Sequence, residues 1–190
     1  DAVAEQLGVS VVTPTHTWLP SLPQRLLQRE VQLTTLAGSL AGAFPAFIKP
    51  PDDKLFAARV YLDAASLQAV TQGFDGTTPV LVSSPVSFAV EYRGFVAHRK
   101  VAALSAYIRG GAIANGWEEL PGERGGALAL LEQLVADSSV ELPPALVIDV
   151  GKLASGSWAV VEANPAWASG LCGCAHRQCT FICPAGVYKW

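Results

Sequence analysis

An α+β fold built mostly from antiparallel strands is the architecture that this sequence predicts, and three observations point to it. Strand-like stretches follow one another from residue 79 to 108 with only short turns between them. A second such pair flanks Ser155-Gly156 in "PALVIDVGKLASGSWAVVEAN". Only two or so stretches carry a helical pattern, which falls short of the strand–helix alternation of a doubly wound parallel sheet.

Each element has a local reason. Residues 1–45 hold short apolar stretches broken by Pro14, Pro20, Pro23 and Pro45, with no sustained helical or strand period. "AFPAFIKP" reads as a short strand stopped by Pro50 and Pro51, with Lys49 at its end. "PDDKLFAARVY" is a loop leading into a second strand. In "DAASLQAVTQG", Asp63 suits an N-cap and Gly73 a stop, so a short helix is expected. "PVLVSSPV" is a short buried strand and then a polar break. "SFAVEYRGFVAHRKVAALSAYI" is two strands around a turn near His98-Arg99. "GERGGALALLEQLVADSS" places Leu128, Leu131, Leu134 and Val135 on one helical face. The last two strands turn tightly at Ser155-Gly156.

The 190 residues are 51% hydrophobic and 15% charged, which suits one soluble globular unit or two small lobes. A net charge of −3 gives no electrostatic case for nucleic acid or an anionic membrane. No apolar run approaches the roughly 20 residues that span a bilayer, and no signal-peptide pattern opens the chain, so a cytoplasmic location is expected. Without any Met, and with Asp1 opening directly into "AVAEQLGVSVV", the chain reads as a fragment. Its cysteines all cluster at Cys172, Cys174, Cys179 and Cys183, unlike the spread framework of a small secreted domain, and reduced thiols are the expectation.

A two-residue turn at Ser155-Gly156 sets Asp149 directly opposite Glu162, with Asn164 on the same face one pleat on. Directly opposed β-carbons lie about 4.5–5.5 Å apart, where like charges repel. Two carboxylates and an amide oxygen make a hard oxygen site suited to Mg²⁺, which completes its shell with phosphates. The alternative is a pair of hairpin-rim acids pointing into water, and spacing alone leaves both readings open.

A metal–phosphate site also needs cations. Lys49 at a strand end and Lys54 beyond it are candidates, as is Arg93 in "EYRGF", which shares a strand face with Glu91 and Phe95. Arg109 ends its strand in "AYIRGG", where two glycines permit close backbone approach. Arg offers a planar fork for phosphate or carboxylate, Lys a point charge. Taken singly, each reads first as a solvated or ion-paired surface group; together with the acidic hairpin, that reading weakens. No glycine-rich phosphate loop is present, so a P-loop or dinucleotide-binding reading fails.

These residues, in the order "FIKP…K", "VLVSSPV", "VEYRGFV…VAALSAYIRGG" and "VIDVG…WAVVEANPAWASGL", resemble the ATP-grasp superfamily over residues 45–174. The resemblance is to a compact bacterial and phage-associated clade named for two arginines and a lysine. It implies two small α+β lobes with mostly antiparallel sheets enclosing a nucleotide cleft. Residues 1–44 would be the remnant of a preceding region, 45–86 the first lobe, 87–174 the second and 175–190 an irregular tail.

The resemblance further implies ATP with its adenine against the backbone around Val82, Ser83, Ser84 and Val86, and phosphates on Lys49 and Lys54. Asp149, Glu162 and Asn164 would ligate Mg²⁺. Arg93, with Arg109, would sit near the γ-phosphate and the carboxylate under attack. The implied activity joins a small-molecule or peptide carboxylate to an amine through an acylphosphate. The alternative is a nucleotide-binding or regulatory module that keeps the fold without turnover.

Three departures from the family pattern stand out. Ser84 occupies a place where relatives often carry an acid, the usual preceding domain is nearly absent, and no closing helix follows Gly173. Cys172, Cys174, His176, Cys179 and Cys183 offer enough ligands for Zn²⁺, but their cramped spacing does not match the common pair-of-pairs arrangement. Trp167 and Gly170 match the family pattern without a role that chemistry assigns.

Overall fold

The computed structural model describes residues 12–51, 55–113 and 119–170. The chain divides into two compact units whose boundary falls between Val86 and Ser87. The first, from His16 to Val86, runs α1 (Trp18–Ser21), α2 (Gln24–Leu27), β1 (Val31–Thr35), α3 (Leu36–Leu40), β2 (Ala46–Lys49), β3 (Arg59–Tyr61), α4 (Ala64–Gln68) and β4 (Pro79–Ser83). Its four strands form one antiparallel sheet in the order β1-β4-β2-β3. Leu36, Ile48, Tyr61, Leu67 and Val80 meet in its core. Asp63 caps α4 by accepting the Ser66 N–H at 2.7 Å, which holds its carboxyl below the usual range.

This unit corrects the reading of residues 1–45, where no element was expected. β1 is an edge strand without clean alternation of burial, and α1, α2 and α3 are four or five residues long. Elements that short carry no period to detect. α4 is also shorter than expected, ending at Gln68 rather than near Gly73.

The second unit holds β5 (Phe88–Ala97), β6 (Lys100–Arg109), β7 (Ala112–Ile113), α5 (Glu123–Ala136), β8 (Ala145–Leu153), β9 (Trp158–Asn164) and a 3₁₀ turn (Ala166–Ala168). The strands form an antiparallel sheet in the order β7-β6-β5-β8-β9, and α5 packs across one face. His98 and Arg99, at φ 46° and 58°, make the tight β5–β6 turn. The Arg99 side chain then donates to the carbonyls of Val135, Asp137 and Val140, closing the C-terminal end of α5.

α5 buries Ala127, Leu130, Leu131 and Leu134 against the sheet, while Leu128 and Val135 are half-buried. The apolar stripe is thus rotated from the one that the leucines alone suggest, because Ala127 at the contact lets helix and sheet close up. Gly94 of β5 makes room for Leu131 in the same way, and Gly126 of α5 for the Trp158 indole.

Candidate active site

The face opposite α5 carries the polar groups. Register sets Ser105 of β6 opposite Arg93 of β5, Arg93 opposite Asp149 of β8, and Asp149 opposite Glu162 of β9. Directly paired residues share a face, and strands lie about 4.8 Å apart, so these four side chains form one row about 14 Å long across four strands. Arg93 grips Asp149 with both arms of its fork, Nε donating to Oδ1 at 2.8 Å and Nη2 to Oδ2 at 2.7 Å. Both residues are buried, and the Tyr107 ring lies against the guanidinium at 4.0 Å. Asn164 Nδ2 donates to Glu162 Oε1 at 3.0 Å and stands 3.5 Å from Asp149 Oδ2, so the amide bridges the two acids.

Two bulges build this face. The turn after β8 spans three residues, Ala154–Gly156, rather than two: Gly156 N–H bonds the Leu153 carbonyl, Leu153 N–H bonds the Ser157 carbonyl, and Gly156 adopts φ 90°. That register alone would set Glu162 on the helix face. An extra residue in β9, Val161, shifts it back and returns Glu162 to Asp149. The second bulge, at Tyr107 of β6, does the opposite to Arg109. Strict alternation puts Ser105, Tyr107 and Arg109 on one face. With Tyr107 unpaired, Arg109 pairs with Val90 and falls on the helix face.

There Arg109 donates to Glu123 of α5, whose carboxylate also accepts the Leu120 N–H at 3.0 Å. Burial pushes the Glu123 carboxyl upward, but the Arg109 bond, the Leu120 bond and the Arg109 and Lys152 charges outweigh it and hold it below the ordinary value. The row therefore gathers Arg93, Asp149, Glu162 and Asn164, and leaves Arg109 out.

A family model for the ATP-grasp domain, the second family of the clade named for two arginines and a lysine, matches residues 26–181. The chain belongs to that family. The solved structures similar to this ATP-grasp domain are distant in sequence and share its fold. One is a RimK-domain ATP-grasp protein from Sphaerobacter thermophilus, at 19% identity and TM-score 0.50 over 78% of this chain and 55% of that one. A second is the D-alanine–D-alanine ligase of Bacillus anthracis complexed with ATP, at 14% identity and TM-score 0.52 over 86% and 62%. A third is the L-amino acid ligase of Bacillus licheniformis, at 13% identity and TM-score 0.55 over 86% and 47%. The chain thus spans less than two thirds of each. No curated protein matches it closely enough to lend it a role.

The remaining sequence-picked positions of this ATP-grasp domain lie in the first unit or near the last described residue. Lys49 ends β2 opposite Leu81, on the face away from Ile48 and the core. Val82 and Ser83 lie within β4 with β1 and β2 paired on either side, so their backbone groups serve the sheet. Ser84 N–H bonds the Glu30 carbonyl, and Val86 is exposed. Trp167 is exposed, while the Gly170 carbonyl stands 3.4 Å from Arg93 Nη1. Lys54 and the cysteine cluster with His176 fall outside the described residues.

Among the described residues no helix is long and apolar enough to cross a membrane. Nor, among them, are three or more His, Cys, Asp or Glu side chains grouped so as to take a metal. The row fits a cation that needs fewer protein carboxylates than that. Mg²⁺ commonly takes one or two and fills its shell with phosphate and water. Each carboxylate oxygen has a second lone pair, so Asp149 has acceptor capacity beyond its bonds to Arg93, and a half-turn of the Asn164 amide exchanges Nδ2 for Oδ1. Sequence reasoning missed Ser105, Tyr107 and Glu123. Alternation would have found Ser105 beside Arg93, whereas the contacts of Tyr107 and Glu123 depend on a bulge.

Proposed function

We propose that this ATP-grasp domain binds Mg-ATP and joins a carboxylate to an amine, on amino-acid or peptide substrates, through an acylphosphate. The observation that carries the reading is the row across β6, β5, β8 and β9, with hydrogen-bond donors at one end and oxygen ligands at the other on a single face. Lys49 and Lys54 hold the nucleotide phosphates, and the backbone from Val82 through Ser83 and Ser84 to Val86 borders the adenine. Since Val82 and Ser83 serve the sheet, the adenine contact falls to the end of that stretch. Glu162 and Asn164, with Asp149 sharing its outer lone pairs, hold Mg²⁺, which supplies Lewis-acid stabilisation of charge on a transferring phosphoryl group.

Arg93, fixed in direction by Asp149 and backed by the Tyr107 ring, presents a guanidinium to the same developing charge without having to reorganise. Arg109, engaged by Glu123 on the other face, takes no part. Catalysis then rests on positioning and electrostatics, and no side-chain nucleophile is required.

Incubating the chain with Mg-ATP and pooled amino acids or peptides should release ADP and phosphate. Arg93→Lys, which keeps the charge and loses the fork, should lower that release about a hundredfold. ATP binding without ADP release from any pool would favour the regulatory-module reading. Absence of ATP binding would contradict both.

A further inference from the structure

The row ends on a group that nothing in the described part of the protein satisfies. Ser105 is 8% exposed, and among the described residues its Oγ meets no hydrogen-bond partner. A hydroxyl so placed is costly unless something beyond those residues completes it. It stands directly opposite Arg93, at the end of the row away from Glu162.

That neighbourhood selects the ligand. Beside a guanidinium a cation or a donor is disfavoured, whereas a group with negative oxygens accepts from the hydroxyl and is attracted by the arginine. Tyr92 Oη is also buried without a partner among the described residues, but it lies on the helix face, packed edge-on against Trp158. Burial first, and then the charges of Glu119 and Glu123, push its phenol up to about 12 against the opposing charges of Arg109 and Arg124. Of the two hydroxyls, only Ser105 stands in register with an arginine, on the face that carries Asp149 and Glu162.

We propose that Ser105 Oγ donates to an oxyanion seated against Arg93, either the terminal phosphoryl group of the nucleotide or the substrate carboxylate. This rests on the Mg-ATP ligase reading above. The test uses Ser105→Ala, with near-isosteric Ser105→Cys as the second variant, in two arms. Calorimetry with Mg-ATP and Mg-ADP reads the phosphoryl source. The thermal shift given by acetate on the Mg-ADP-loaded chain reads the carboxylate source.

Removing an unsatisfied hydroxyl should leave the melting temperature of the free chain unchanged or raised. If the partner is phosphoryl, Ser105→Ala weakens Mg-ATP about ten- to a hundredfold and leaves Mg-ADP unaltered. If it is carboxylate, Mg-ATP is unaltered and the acetate shift is lost. Ser105→Cys falls between wild type and alanine in the affected arm. Wild-type behaviour of Ser105→Ala in both arms overturns the proposal. So does a lower melting temperature with ATP and ADP weakened equally, since the hydroxyl then has a partner within the protein. A wild-type chain that binds no Mg-ATP instead contradicts the ligase reading, and this inference falls with it.

Discussion

Two arginine–carboxylate pairs sit on opposite faces of one sheet and do different work. Arg93–Asp149 joins neighbouring strands with side chains 8% and 1% exposed, and it continues on both sides into Ser105 and Glu162. Arg109–Glu123 joins strand to helix with side chains 31% and 6% exposed, and its acid also accepts the Leu120 N–H just ahead of α5. The chemistry of the two pairs is the same; their surroundings set their roles. The first pair is embedded in further polar groups, as the proposed site requires, whereas the second sits beside an apolar helix contact and fastens that helix.

The largest effect should come from breaking the first pair. Asp149→Ala strands a buried guanidinium and should cost about 3–5 kcal/mol in a urea titration. Glu123→Ala, read the same way, should cost less, because Arg109 reaches solvent; equal losses would erase the distinction. Next come the contacts that close the helix face. Gly126→Ala drives a β-carbon into the Trp158 indole and should cost about 1–3 kcal/mol. Arg99→Ala releases three carbonyls at the end of α5 and should cost about 1–2 kcal/mol, seen as early helix exchange in hydrogen–deuterium measurements.

The smallest effect is one of pH. The Glu123 carboxyl is held below its ordinary value of 4.5, so its contribution to stability is fully present above that pH and is lost as pH falls through the lower, folded value. Glu123→Gln should flatten this acid limb of the melting curve and leave Mg-ATP affinity within about twofold of wild type. A larger drop would tie the helix face to the site.

Much of this arrangement was legible in the residues. Alternation and turn chemistry located β5, β6, β8 and β9, and the motif in "VVEAN" marked the strand face that carries Glu162 opposite Asp149. What escaped were single-residue irregularities. Val161 and the third residue of the Ala154–Gly156 turn offset one another, so Glu162 meets Asp149 for a reason that alternation does not contain. Tyr107 had no compensating partner, so Arg109 moved to the other face. Bulges answer to the packing of neighbouring strands rather than to local composition, and a one-residue slip reverses every side chain beyond it. β1 was missed for a related reason: an edge strand half-exposed on both faces shows no alternation.

The central claim is that the polar row on the face of the second sheet opposite α5 holds the metal–nucleotide complex. Calorimetric titration of Mg-ATP into wild type, Glu162→Gln and Asn164→Ala tests it most directly. The row predicts saturable, magnesium-dependent binding by wild type, weakened about tenfold or more in each variant while both keep the wild-type melting temperature within a few degrees. Unchanged affinity in both variants would contradict it.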